Sequence, residues 1–143
     1  MRLVPQAMTT PPADRVRRLP VGAESQHGGV HFRVWAPAST SVAVDVDIPG
    51  QSPSLYPLAA AADGHFEGFV ANLGPGTRYR YRLDDGCAYP DPASRFQPAG
   101  PHGPSEVIDP SAFTWTDASW LGPATSGLIV YELHIGTFTA AGT

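Results

Sequence analysis

The stretch Val30-His-Phe-Arg-Val-Trp-Ala-Pro37 decides the fold, because its apolar and polar residues alternate with a period of two. In an extended chain, this alternation places every second side chain on the same side. The run Ser41–Ile48 repeats the pattern, with four β-branched residues on one side and two aspartates on the other. Both runs therefore predict strands with one face in a core and one face in solvent.

Further short strands are predicted at residues 55–58, 65–70 and 77–83, between turns rich in glycine and proline. The chain of 143 residues contains 15 Gly and 16 Pro, and it offers no amphipathic helix. Several short strands separated by such turns, at spacings of roughly ten residues, are typical of a β-sandwich. We therefore predict an all-β fold, with an immunoglobulin-like β-sandwich of the early-set type over residues 17–89.

The segments on either side of this sandwich have a different character. Residues 1–16 show no periodic apolar face and are predicted to be a disordered tail. Residues 90–126 predict an ordered connector with one short strand at Glu106–Ile108. The apolar run Leu128–His134 predicts a strand buried on both faces, as in a parallel sheet. A parallel strand needs neighbours and crossover helices. We therefore expect residues 127–143 to begin a truncated second domain, and the chain to be the front of a longer protein.

Charge and composition exclude several classes of function. All nine basic residues are arginine, and 13 acidic residues give a net charge of −4, which argues against a nucleic-acid partner. Cys87 is the single cysteine, so the chain has neither an intrachain disulfide nor a clustered Cys/His metal site. No apolar run is long enough for a signal peptide or a membrane span. These features predict a cytoplasmic protein with no metal and no membrane partner.

Five motifs together carry a resemblance to a known family. They are Arg33-Val-Trp-Ala-Pro-Ala38, Pro75-Gly-Thr-Arg-Tyr-Arg-Tyr-Arg-Leu83, Tyr89-Pro-Asp-Pro-Ala-Ser-Arg-Phe-Gln-Pro98, His102-Gly-Pro104 and Val130-Tyr-Glu-Leu-His-Ile-Gly-Thr-Phe138. In this order they resemble the N-terminal region of the maltooligosyltrehalose trehalohydrolases, which belong to the α-amylase superfamily of glycoside hydrolases. The first motif is also similar to glycogen branching and debranching enzymes. The third and fourth motifs narrow the choice of family to the trehalohydrolases.

The resemblance implies an immunoglobulin-like module followed by a (β/α)8 barrel whose first strand is similar to Leu128–His134. It implies hydrolysis of the α-1,4 bond next to the trehalose end of a maltooligosyltrehalose, with no metal or organic cofactor. The catalytic carboxylates of this superfamily follow later barrel strands. No catalytic residue can therefore be placed on this chain, and we expect the isolated chain to be inactive. The implied partners are maltooligosyltrehalose or another α-glucan, and the barrel of the same enzyme.

Two other functions fit the same sequence. One is a non-catalytic module that holds α-glucan on exposed tryptophan and tyrosine rings. The other is the N-terminal piece of a glycogen branching or debranching enzyme, which looks similar in the first motif but is less favoured because of Pro90–Arg95 and His102–Pro104.

The candidate substrate-binding residues are His134, Gly136 and Phe138, because ligand sites lie at the C-terminal ends of barrel strands. Glu132 and His134 lie two residues apart and share a face, but a packing role is the simpler interpretation of that pair. Asp91-Pro92 is interpreted as a turn initiator rather than as a catalytic acid.

Two groups of side chains admit both a functional and a structural interpretation. Arg78, Arg80 and Arg82 form a cationic row that is suited to an anionic partner, although a solvated strand face is the ordinary explanation. The sequence leaves open whether this row pairs with Asp45 and Asp47. Flat aromatic rings suit the apolar face of a glucose ring, but core packing is the expected role for most of them. These aromatics are Trp35, Tyr79, Tyr81, Phe96, Trp115 and Trp120, and we expect Tyr89, Trp115 and Trp120 to form the seam between module and barrel.

Overall fold

The structure, a computed structural model, describes residues 17–47, 54–84 and 86–142. The chain divides into two compact units, one ending at Phe113 and the other beginning at Thr114. Each unit is described by itself. The predicted tail, residues 1–16, and the last residue of the predicted strand Ser41–Ile48 lie outside the described residues.

The first unit is a sandwich of two antiparallel sheets, which confirms the predicted all-β class. In chain order the described strands are β1 (Gly22–Gln26), β2 (Gly29–Trp35), β3 (Val42–Asp47), β4 (Ser54–Pro57), β5 (Ala59–Ala60), β6 (His65–Ala71), β7 (Arg78–Leu83), β8 (Ala88–Tyr89) and β9 (Ser105–Glu106). One sheet has the order β1-β2-β6-β5. The other has the order β4-β3-β7-β8, and β9 also pairs with β7. Two short 3₁₀ turns, Ala62–Gly64 and Pro110–Ala112, complete the unit.

The core lies between the sheets and is filled by the alternating apolar residues that the sequence indicated. Val30, Phe32 and Val34 of β2 are buried, as are Val42, Val44 and Val46 of β3. The ring of Phe32 meets the ring of Tyr79 from the opposite sheet edge-on, with centroids 5.0 Å apart. Aromatic pairs of this geometry add packing energy beyond the apolar area they bury.

The sandwich extends beyond the predicted boundary at Tyr89. Strand β9 pairs with β7 through Glu106 opposite Arg78 and Ser105 opposite Tyr79. Val107 is 1% exposed and belongs to the same core. A two-residue strand has no detectable period, so its pairing with a strand more than 20 residues earlier was invisible in the sequence pattern. Residues 90–113 therefore belong to the sandwich unit rather than to a separate connector.

The second unit, residues 114–142, contains no strand within the described residues. Leu128–His134, predicted to be a buried strand, has no regular secondary structure, and its side chains are exposed. A short helix, α1, follows at Ile135–Phe138. A strand forms only where a neighbouring segment accepts its N–H groups and donates to its carbonyls, and no described segment pairs with this run. Its place as the first strand of a barrel stays a prediction.

Candidate functional site

The predicted substrate-binding residues lie within one turn of the second unit. The backbone N–H and the hydroxyl of Thr137 donate to the carbonyl of His134, at 3.0 and 3.2 Å. Gly136 lies inside this turn, and the ring of Phe138 contacts that of Tyr131 with centroids 6.4 Å apart. All of these residues are exposed. The structure thus places His134, Gly136 and Phe138 together on one exposed turn, and their role in binding stays a prediction.

Among the described residues, no three His, Cys, Asp or Glu side chains form a group suited to hold a metal ion. Cys87 is an exposed free thiol. No helix in the described residues is long and apolar enough to cross a membrane.

Two of the three arginines on β7 are paired with carboxylates, one on β3 and one on β9. Arg82 Nη2 donates to Asp45 Oδ2 at 2.6 Å, and Arg78 Nε lies 3.4 Å from Glu106 Oε2. Arg80 stands directly opposite Asp45 in the β3–β7 register. The structure thereby decides the pairing that the sequence left open. Acids on β9 and β3 thus offset the charge of two of its three arginines, Arg78 and Arg82.

A buried hydrogen-bond network explains the third of the resemblance motifs. Asp91 is 2% exposed, and its Oδ2 accepts a hydrogen bond from the Tyr79 hydroxyl at 2.6 Å. Its Oδ1 accepts from the backbone N–H of Ala93 at 2.8 Å, and its own N–H donates to the Ser105 hydroxyl at 2.9 Å. The N–H of Ser94 also donates to the Asp91 carbonyl, which confirms the turn predicted at Asp91-Pro92. Asp91 joins the segment after β8 to strands β7 and β9.

Burial governs the ionisation of this network. Desolvation raises the pKa of Asp91, although the hydroxyl of Tyr79 and the N–H of Ala93 oppose the shift. Burial also raises the pKa of Tyr79, and the neighbouring Asp91 carboxyl adds to that shift. A shifted carboxyl pKa is a common sign of a catalytic acid. Here the network is enclosed by protein, and both carboxylate oxygens of Asp91 accept hydrogen bonds from protein donors. We therefore assign the network a structural role and not a catalytic one.

Arg95, which belongs to the same Tyr89–Pro98 motif, ties this segment to the edge of the first sheet. Its Nη2 donates to the carbonyl of Val21 at 3.2 Å, and its Nη1 donates to that of Ala23 at 3.4 Å. A Cβ at Gly22 would stand 2.9 Å from Arg95 Nη1. Gly22 also has a φ of +88°, so a glycine is required there both for the backbone and for the close guanidinium.

Beside this tie lies a half-open groove of about 380 Å³. Its one carboxylate, Glu24, accepts hydrogen bonds from the backbone N–H groups of Arg18 and Leu19. Burial opposes ionisation of Glu24, but these hydrogen bonds outweigh it, so the pKa of Glu24 lies below its usual value. Retaining glycoside hydrolysis needs two carboxyl groups about 5–5.5 Å apart. Because the groove has one carboxylate, it cannot catalyse this hydrolysis. The groove is lined by Arg18, Leu19, Ala23, Glu24, Ser25, Arg95, Ile108, Pro110 and Ser111.

The exposed aromatic rings differ from the expectation that most aromatics pack in the core. Tyr79 and Tyr81 are buried as expected, whereas Trp35 is 60% exposed. Phe96 and Tyr89 of the sandwich unit are also exposed, as are Trp115 and Trp120 of the second unit. The sequence did indicate that Trp35 is exposed, because the alternation of β2 places its side chain on the face opposite to the core residues.

Trp35 is held in place although it is exposed. Its indole Nε1 donates to the carbonyl of Asp63 at 3.1 Å. The next residue, Ala36, donates its N–H to the carbonyl of Gly64 at 2.9 Å. These two bonds attach the end of β2 to the turn before β6. Trp35 is therefore a fixed aromatic surface open to solvent, which is a feature suited to stacking a ligand ring.

Comparison with known proteins indicates a family for this geometry. Residues 20–112 match the family described as carbohydrate-binding module 48 (isoamylase N-terminal domain), a range that includes β9. A malto-oligosyltrehalose trehalohydrolase from Saccharolobus solfataricus is 41% identical over 122 residues, covering 85% of this chain and 21% of the relative. A 1,4-alpha-glucan branching enzyme from Nocardia farcinica is 36% identical over 121 residues, covering 77% of this chain and 16% of the relative.

One solved structure is similar to this chain in both fold and sequence. The putative alpha amylase from Salmonella typhimurium is 39% identical, with a TM-score of 0.67 over 87% of this chain and 20% of that one. The chain spans about a fifth of the length of the trehalohydrolase relative. The matched proteins are thus much longer than the described sandwich.

Proposed function

The chain belongs to the carbohydrate-binding module 48 family, and on that premise we propose that it is the N-terminal module of a maltooligosyltrehalose trehalohydrolase. The observation that carries the proposal is the 41% identity to such an enzyme over 122 residues, a longer stretch than the module match at residues 20–112. The proposed whole enzyme hydrolyses the α-1,4 bond next to the trehalose end of a maltooligosyltrehalose and releases trehalose.

The module itself is proposed to be non-catalytic. The two buried acids of the described residues, Glu24 and Asp91, are each bound by protein donors and hold separate segments of the sandwich. The catalytic pair that this hydrolysis requires would have to come from the barrel. We assign the module to supporting that barrel and to shaping one side of the substrate cleft. We also place the protein in the cytoplasm, on the ground that its one cysteine is a free thiol.

Expression of the complete source gene, with this chain alone as the control, tests the proposal. Both proteins are incubated with maltotriosyltrehalose, and trehalose is measured by chromatography. We expect trehalose from the complete gene product and none from the chain alone. A product that releases no trehalose, or a chain that is active alone, would overturn the proposal.

The role of support is tested on the same gene product. Deletion of residues 1–113 is expected to lower the thermal midpoint of the remaining protein and its selectivity for trehalose-ended substrates. A deletion product with unchanged midpoint and selectivity would refute that role.

The branching-enzyme relative favours a second candidate function. A branching enzyme creates α-1,6 branches in amylose and releases no trehalose. Incubation of the complete gene product with amylose, followed by analysis of the branch content, separates the two activities.

A further inference from the structure

The side chain of Arg17 attaches the chain before β1 to the first sheet. Its Nη1 lies 2.7 Å from His31 Nδ1 and donates to the His31 carbonyl at 2.9 Å. Its Nη2 donates to the carbonyl of Gly22 at 2.8 Å, and its Nε donates to that of Leu19 at 3.1 Å. One guanidinium therefore joins the segment before β1 to both β1 and β2.

The contact with His31 fixes the protonation state of the imidazole. A guanidinium carries donors only, so His31 Nδ1 must accept the hydrogen bond from Arg17. An imidazole accepts at Nδ1 only when it is neutral and its proton is on Nε2. A second proton, added at Nδ1, would replace this acceptor with a donor and would place two cationic groups in contact. The observed arrangement is therefore incompatible with a protonated His31.

The charged groups around His31 come from each segment beside it. Glu24 of β1 stands directly opposite His31, whereas the residue opposite it on β6 is the uncharged Phe69. Arg33, two residues further along β2 and on the same face, lies 3.4 Å from Glu67 of β6. Arg33 and Glu67 largely offset each other, so Arg17 and Glu24 are the charges that decide the state of His31.

These surroundings make the closed arrangement sensitive to pH. Desolvation by burial lowers the pKa of His31, and the Arg17 guanidinium lowers it further. The carboxylates of Glu67 and Glu24 oppose this shift without cancelling it. A proton therefore binds more weakly to His31 in the closed arrangement than in one from which Arg17 has moved away. Lower pH must favour the second arrangement, because it binds the proton more readily.

A neighbouring attachment keeps its charge over the same range of pH. The backbone N–H groups of Arg18 and Leu19 donate to Glu24 Oε2 at 3.1 and 2.9 Å. Burial opposes ionisation of Glu24, but these hydrogen bonds hold its pKa below its usual value. The carboxylate thus stays ionised near pH 6 and continues to hold the two residues after Arg17. The effect of pH is therefore confined to the Arg17 side chain.

We propose that Arg17 and His31 form a pH-sensitive latch, in which protonation of His31 Nδ1 releases the Arg17 side chain from the first sheet. The latch is closed at pH 7 and above, and it opens as pH falls below the ordinary histidine range, at about 6.5. Opening transfers the guanidinium to solvent while Glu24 still holds Arg18 and Leu19. The latch rests on residues of the sandwich alone and does not depend on the proposed function.

Exchange of the Arg17 Nε–H proton with water measures the opening directly. The full chain is labelled with ¹⁵N, and the Nε–H signals of Arg17 and Arg18 are assigned by their loss in Arg17→Ala and Arg18→Ala. Arg18 is exposed, so its exchange rate serves as the internal reference for the effect of pH on exchange itself. We expect the ratio of the Arg17 rate to the Arg18 rate to rise about threefold or more between pH 7 and pH 5.5.

Two substitutions separate His31 from other titrating groups. His31→Gln keeps a side-chain oxygen that can accept from Arg17 but binds no proton in this range, so the ratio should be the same at both pH values. His65→Gln, at another half-buried histidine of the first sheet, is the matched control and should behave like the parent. Arg17→Ala removes the neighbouring cation and should raise the pH at which the carbon signals of the His31 ring titrate.

Three results would overturn the latch. They are an equal ratio at the two pH values in the parent, a pH dependence that persists in His31→Gln, and an unchanged titration of His31 in Arg17→Ala. If His31→Gln does not fold, as judged by its amide spectrum, the parent ratio and the titration in Arg17→Ala carry the decision. The trehalose assay uses the complete gene product and not this exchange measurement, so the two proposals fail independently.

Discussion

Tyr79 and Tyr81 form a natural pair for measuring what one buried hydroxyl contributes. Both lie on β7, two residues apart, both are 2% exposed, and their rings meet edge-on at 5.7 Å. They differ in their hydroxyl groups. The hydroxyl of Tyr79 donates to Asp91 Oδ2 at 2.6 Å, whereas that of Tyr81 is buried with no hydrogen-bond partner among the described residues.

Replacement of each tyrosine by phenylalanine should therefore have different effects on the free energy of unfolding. Tyr79→Phe removes a hydrogen bond to a carboxyl group and leaves buried Asp91 with one donor fewer, which costs about 1.5–3 kcal/mol. Tyr81→Phe removes a polar group whose unpaired burial carries a penalty of about 1–3 kcal/mol. We expect this second variant to be as stable as the parent protein or more stable.

Urea unfolding at pH 7, followed by circular dichroism, measures both changes. With a urea slope of about 2 kcal/mol per molar, a loss of about 2 kcal/mol lowers the midpoint by about 1 M. The slopes of the three proteins should agree, because neither substitution changes the surface exposed on unfolding. A Tyr81→Phe variant that loses as much stability as Tyr79→Phe would refute the reasoning, since the effect would then come from ring packing and not from the hydrogen bond.

Two further predictions concern residues of the same sandwich. Gly64 has a φ of +73°, and a Cβ there would stand 2.7 Å from the Cβ of Pro37. Gly64→Ala should lower the free energy of unfolding by about 1–3 kcal/mol, and Gly76→Ala by less, since Gly76 has a φ of +86° but no neighbour within 4 Å. Equal losses in urea would contradict the steric part. Burial and the Arg17 guanidinium lower the pKa of His31 in the folded state, so the unfolded chain binds the proton more readily. The free energy of unfolding should thus fall as pH drops through about 6.5. His31→Gln should reduce this dependence on pH, as measured by urea unfolding at several pH values. An unchanged dependence in that variant would show that other groups cause it.

The strands of the sandwich were predictable because their signal is local. Each of β2, β3 and β7 buries one face, and a half-buried strand shows that face as a period of two in its own residues. The same alternation placed Trp35 opposite the core, although the general preference of large aromatics for the core argued against its exposure. For Trp35, the local alternation indicated the exposure of the side chain better than the general preference of aromatics did.

The candidate site was less predictable, because its parts come from separate segments. Nothing around Asp91 in the sequence showed that its carboxyl is buried against Tyr79, since that depends on the position of the segment after β8 beside β7. The predicted residues His134, Gly136 and Phe138 followed from a resemblance and not from a pattern. The structure leaves them exposed, and their role stays a prediction.

For β2, β3 and β7, the sequence by itself determined where the strand lies and which side of it is buried, since both depend only on neighbours along the chain. Tertiary structure alone decided which strands are adjacent: β6 beside β2, β7 between β3 and β8, and β9 added to β7. Backbone hydrogen bonds between strands are alike for every residue except proline, so they leave no mark of their partner in the sequence. Through that order Trp35 comes to stand beside His65, and Arg33 beside Glu67.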